Sequence, residues 1–78
     1  MLYLGLMDSA KTIRITVDGF AEDIPARLSL AELLELRGES AKITLVEHNG
    51  TYVRATALGE IELAEGDKVE IILPAFGG

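Results

Sequence analysis

The side chains able to do chemistry are few, and most fail for want of a partner. His48 is the only histidine, one residue before Asn49-Gly50. An imidazole acts as a base or metal ligand when a second group completes the site, and there is neither a cysteine nor another histidine to do so. His48 therefore reads as a surface turn residue. The serines are Ser9, Ser29 and Ser40; none lies in a G-x-S-x-G setting. Without cysteine there is no disulfide, no thiolate metal site and no thiol to carry a persulfide. Glu60, Glu62, Glu65 and Asp67 form an acidic cluster, but lack the spacing of a calcium loop and read as a solvated face or, functionally, a docking surface. The glycines are spread over turns instead of forming a phosphate loop. No catalytic residue, no metal site and no intrinsically bound cofactor are predicted.

One reactive group is left, the carboxylate at the end of Pro74-Ala75-Phe76-Gly77-Gly78. With glycine usage of about 7%, a terminal Gly-Gly arises by chance in roughly one of 200 chains, so the pair alone says little. Position gives it weight. Two residues without side chains, placed just past a final strand, present a carboxylate that can enter a narrow slot in another protein.

The whole chain must serve as the holder for that end. Seventy-eight residues make one domain, near the lower limit for a core without disulfide or metal staples. Apolar residues at 49% and charged residues at 26% belong to a folded chain. A formal charge of −6 disfavours nucleic acid and favours a partner with a basic face. The apolar opening Met1 to Met7 is too short to span a bilayer and lacks the features of a secretion signal. It reads as a terminal extension or an added edge strand, with no membrane partner and a cytoplasmic setting.

Lys11 to Val17 alternates, with Ile13, Ile15 and Val17 on one face, and predicts a strand. Asp18-Gly19 turns it into a second strand, Phe20 to Ile24, closed by Pro25. Ser29-Leu30-Ala31-Glu32 is a capping box opening a short helix, with Leu30, Leu33, Leu34 and Leu36 as its apolar stripe and Gly38 as its stop. A third strand is predicted from Lys42 to Glu47, and Asn49-Gly50 leads into Thr51-Tyr52-Val53. Arg54 to Leu63 predicts an irregular connection with one helical turn near Ala55 to Leu58. After the Glu65-Gly66-Asp67 turn, Lys68 to Leu73 is the last strand. These elements predict an α+β domain, a β-grasp with a mixed four- to five-stranded sheet, one helix on one face, and the first and last strands parallel at its centre. A ferredoxin-like arrangement is the rival and needs a second helix. The expected division is residues 1–10 as an N-terminal extension, 11–73 as the domain and 74–78 as a flexible tail. Ile72, opposite in face to Ile71, is predicted as an exposed apolar residue beside the tail, either docking a partner or covered by Met1 to Met7.

The capped helix Ser29 to Leu34, the segment Ile43 to Gly50, the run Glu65-Gly66-Asp67-Lys68-Val69-Glu70-Ile71 and the terminal Gly77-Gly78 occur in an order that resembles the ThiS/MoaD sulfur carriers, which are ubiquitin-like in fold. The likeness covers about residues 11–78, and its short helix looks more like the thiamine carriers than the molybdopterin-synthase small subunits. The leader Met1 to Ala10 and the connection Arg54 to Leu63 depart from the pattern.

That resemblance implies a carrier, not an enzyme. A partner E1-like adenylyltransferase of the ThiF/MoeB type would use ATP and magnesium to adenylate the Gly78 carboxylate. A sulfur donor system would convert it to a thiocarboxylate for a thiazole synthase or another acceptor enzyme. Gly78 would carry sulfur, Gly77 would give access, and Phe76 and Pro74 would position the tail. Molybdopterin, amino-acid and tRNA thiolation are alternative destinations. Conjugation to a partner lysine through Gly78, as in ubiquitin-like modules, and a β-grasp regulatory domain are alternatives of another class.

Overall fold

The computed structural model describes residues 11–40 and 44–73. The elements run β1 (Thr12–Val17), β2 (Phe20–Pro25), α1 (Leu30–Leu36), β3 (Leu45–His48), β4 (Thr51–Val53), a 3₁₀ helix (Ala55–Glu60) and β5 (Lys68–Ile72). They form one five-stranded sheet in the order β2-β1-β5-β3-β4.

Both hairpins follow from their turn dipeptides. Asp18 and Gly19 have φ of 53° and 87°, and Asn49 and Gly50 have 52° and 85°, the two successive positive values of a type I′ turn, whose twist matches that of the flanking strands. The first turn sets the β1–β2 register from Val17 opposite Phe20 to Thr12 opposite Pro25. Pro25 is thus the last residue of β2, at a strand end where a missing N–H is tolerated.

Helix α1 begins as its sequence dictates. Ser29 Oγ accepts from the Glu32 amide at 3.0 Å while Glu32 Oε1 accepts from the Ser29 amide at 2.8 Å, so both halves of the capping box are present. The Leu30 amide, another orphan donor of the first turn, donates to the Ile61 carbonyl at 2.9 Å. At the far end Gly38, with φ of 74°, sets up a Schellman closure, the Gly38 and Glu39 amides donating to the carbonyls of Glu35 and Leu34.

The helix and the 3₁₀ segment lie over one sheet face. Ile15, Val17, Ile24, Leu30, Leu33, Leu34, Val46, Val53, Leu58, Leu63 and Val69 form the buried core, with Ile13 and Ile71 packed against it. The predicted helix stripe is corrected at Leu36, which is 67% exposed. At about 100° per residue, Leu36 lies some 240° around the helix from Leu30, off the face that Leu30, Leu33 and Leu34 share.

Strand β1 lies antiparallel to β2 and parallel to β5, and β3 is antiparallel to both β4 and β5. This is the β-grasp order, with the first and last strands parallel at the centre. It excludes the ferredoxin-like rival, since the described residues contain one α-helix. The predicted third strand is shifted: β3 starts at Leu45, Thr44 precedes it, and Lys42 and Ile43 lie outside the described residues. No helix among the described residues is long and apolar enough to cross a membrane.

Candidate functional site

Strand β5 ends at Ile72, two residues before Pro74, the first residue of the predicted handle. Along β5, Val69 is fully buried and Ile71 packs on the core, while Lys68, Glu70 and Ile72 face away from the helix. Ile72 is 42% exposed and sits directly opposite Leu45, 43% exposed, on β3. Val46 opposite Ile71 occupies the core side, so the Leu45–Ile72 pair is an apolar step on the helix-free face at the outgoing end of β5. Tyr52, opposite Glu47, is also exposed. Sequence reading singled out Ile72 and missed Leu45, although Leu45 and Val46 alternate as Ile72 and Ile71 do.

Strand β5 is held on both edges as it leaves. Toward β3 it runs in register from His48 opposite Val69 to Leu45 opposite Ile72. Toward β1 the paired residues are Thr16 with Lys68 and Val17 with Val69, and the Asp18 amide donates to the Val69 carbonyl at 2.9 Å. Beyond that point β1 turns away at Asp18-Gly19, and the Ile71 amide donates at 2.9 Å to Asp18 Oδ1.

A polar cluster closes the incoming end of β5. The His48 Nε2–H donates to Asp67 Oδ2 at 2.7 Å, with side chains 21% and 13% exposed. Asp67 also accepts from the Ala64 amide at 2.9 Å and from Asn49 Nδ2 at 3.2 Å, and Asn49 Oδ1 accepts from the Lys68 amide at 2.8 Å. Burial, the largest single influence, pushes the Asp67 carboxyl up. The hydrogen bonds from His48, the Ala64 amide and Asn49, together with the charge on His48, outweigh it and hold the group below the usual aspartate value. His48 thus ends β3 directly before the hairpin turn, where a surface residue is expected, and is partly buried there by its bond to Asp67.

The acidic cluster is dispersed in use. Asp67 belongs to that network, Glu65 Oε1 accepts from the Arg14 amide at 2.9 Å, and Glu60 and Glu62 are exposed. No group of three or more histidine, cysteine or acidic side chains able to hold a metal ion occurs among the described residues. Of the predicted site residues the structure places Ile72. Pro74, Phe76, Gly77 and Gly78 lie outside the described residues, as do Met1 to Met7, the segment weighed as a cover for Ile72.

Two comparisons bear on this arrangement. The model of the ThiS family matches residues 9–78. That match takes in both the connection Arg54 to Leu63 and the terminal Gly-Gly, and leaves most of the leader out. Among solved structures, the thiamine biosynthesis protein ThiS of Geobacter metallireducens superimposes with a TM-score of 0.74 at 29% identity, covering 85% of this chain and all of that one. No curated protein matches the sequence. With nine-tenths of its length inside the family match and the β-grasp shared with a solved member, this chain belongs to the ThiS family of small sulfur carriers.

Proposed function

We propose that the chain carries sulfur on its C-terminal carboxylate for thiazole formation in thiamine biosynthesis, as the substrate of partner enzymes. The observation that supports this reading most directly is that the family match extends to Gly78, so the one reactive group left by elimination falls inside the matched range.

The chemistry asks little of the carrier beyond presentation. A free carboxylate is a poor electrophile. In the proposed first step a Gly78 carboxylate oxygen attacks the α-phosphorus of ATP in an E1-like adenylyltransferase, with magnesium, and pyrophosphate leaves. In the second, a donor at the oxidation level of sulfide attacks the acyl carbon, a C–S bond forms, and AMP departs with the former carboxylate oxygen. Passing through a covalent intermediate replaces one difficult substitution by two easier ones. The resulting thiocarboxylate is the nucleophile that a thiazole synthase consumes. Gly77 gives the backbone close access, Phe76 and Pro74 orient the tail, and Leu45 and Ile72 offer the apolar contact that keeps the partner docked beside it.

The test is an intact-mass measurement after incubation with the adenylyltransferase, ATP, magnesium and a sulfur donor. The expected result is the exchange of one oxygen for sulfur, localised to Gly78 and absent when Gly77 and Gly78 are deleted. Higher-mass adducts to lysines of other proteins, lost on the same deletion, would replace the carrier reading with conjugation.

A further inference from the structure

Strand β5 loses its β1 partner before it ends, and one side chain stands in for it. In a parallel ladder every second residue of a strand donates to the carbonyl before its opposite number and accepts from the amide after it, as Thr16 begins to do by donating to the Asp67 carbonyl at 3.0 Å. Asp18 obeys the first half, its amide donating to the Val69 carbonyl at 2.9 Å. The second half calls for the Asp18 backbone carbonyl to accept from Ile71. At Asp18 the chain has already turned, with φ of 53°, and the acceptor is instead its side-chain Oδ1, 2.9 Å from the Ile71 nitrogen. The carboxylate therefore carries the ladder one step past the end of β1, at the residue just before Ile72.

We propose that Asp18 is a positioning residue: by holding the Ile71 amide it fixes the direction in which Ile72 and Leu73 leave the sheet, and so the efficiency with which a partner acts on the C-terminal carboxylate beyond them. The functional half rests on the carrier reading above; the structural half does not. The Asp18 side chain bonds a backbone amide of β5 and not an exposed side chain of the Leu45–Ile72 pair, so its proposed action is on presentation and not on docking.

The turn allows an informative choice of variants. Asp18→Gly keeps the positive φ without strain and removes the acceptor. Asp18→Asn keeps both the conformation and an Oδ1 acceptor. In Asp18→Gly, exchange of the Ile71 amide is expected to quicken about tenfold relative to Val69, the scale of one lost hydrogen bond. The N–H residual dipolar couplings of Ile72 and Leu73 should change, while those of Asp18→Asn follow the parent chain. With the adenylyltransferase, kcat for Asp18→Gly should fall about threefold to tenfold at nearly constant KM for the carrier, with recovery in Asp18→Asn. Unchanged Ile72 and Leu73 couplings in Asp18→Gly, or a loss confined to KM, overturns the proposal. If the parent chain itself is never adenylated, the carrier reading fails, and the couplings alone decide whether Asp18 aims the strand.

Discussion

His48 and Asp67 meet between the β3–β4 turn and the turn that opens β5, with Nε2–H donating to Oδ2 at 2.7 Å. Nineteen residues apart in sequence, they fasten the incoming end of β5 to β3, at the end opposite Ile72. With side chains 21% and 13% exposed, the pair is enclosed enough for a bond to a charged acceptor to count, about 1–2 kcal/mol. His48→Ala is expected to lower unfolding free energy by about that amount, measured by urea titration at neutral pH.

The acid limb of stability follows from the same carboxylate. Asp67 is held below the usual aspartate value by His48, Ala64 and Asn49 against the upward push of burial. Because its folded-state value lies below the unfolded one, the unfolded chain takes up the proton first as pH falls. The contribution is therefore full above the unfolded aspartate value of about 4 and is lost as pH drops through the lower folded value. Asp67→Asn should be less stable than the parent at pH 7 and show a shallower decline of stability below about pH 4. Parallel acid limbs for the two proteins would refute this assignment.

Thr44 presents the opposite case. It is buried, 8% exposed, and its Oγ1 has no hydrogen-bond partner among the described residues. A hydroxyl taken out of water without a partner costs about 1–3 kcal/mol. Thr44→Val keeps the branched shape and removes the polar atom, so it is expected to stabilise the domain by about 1 kcal/mol, read as a higher Tm with an unchanged fold.

The irregular connection contributes to the core. Leu58, in the 3₁₀ helix, is 1% exposed and belongs to the same buried cluster as the helix leucines. Its truncation in Leu58→Ala should cost about 2–4 kcal/mol. A domain of this length has a total near 4–12 kcal/mol, so that is a large fraction. Chemical denaturation should show a reduced midpoint with little change in slope.

What could be read from the sequence was what local rules decide. Asp18-Gly19 and Asn49-Gly50 announced both hairpins, Ser29 and Glu32 the helix start, and Gly38 its stop, because each effect acts within a few residues. Leu36 was misassigned because a leucine-rich run looks like a stripe until the 100° step is followed to its position. His48–Asp67 and Asp18–Ile71 were missed for another reason: only the pairing of distant strands brings them together. The first was within reach of topology, since antiparallel β3 and β5 place the turn after His48 and the turn containing Asp67 at the same end. The second had no such signal, because nothing in an Asp-Gly turn reveals that its carboxylate will serve a strand 53 residues away. The terminal Gly77-Gly78 falls inside the family match but outside the described residues, so its role rests on the proposal above.

The exposed pair at the end of β5 separates partner binding from folding. Leu45 and Ile72 face each other at 43% and 42% exposure on the helix-free side, so the core does not depend on burying them fully. A charged group there forfeits apolar contact with a partner and forces a carboxylate to lose its water on association. Ile72→Asp is expected to keep the parent fold within about 1 kcal/mol in urea, while raising KM for the carrier in adenylation at least tenfold and leaving kcat at saturating carrier nearly intact. Leu45→Asp should act in the same direction, and the double variant should show less than the sum of the two, as neighbours in one contact do. A fall in kcat without a change in KM would instead mean that this face influences how the terminus is presented, and would move the docking surface elsewhere on the domain.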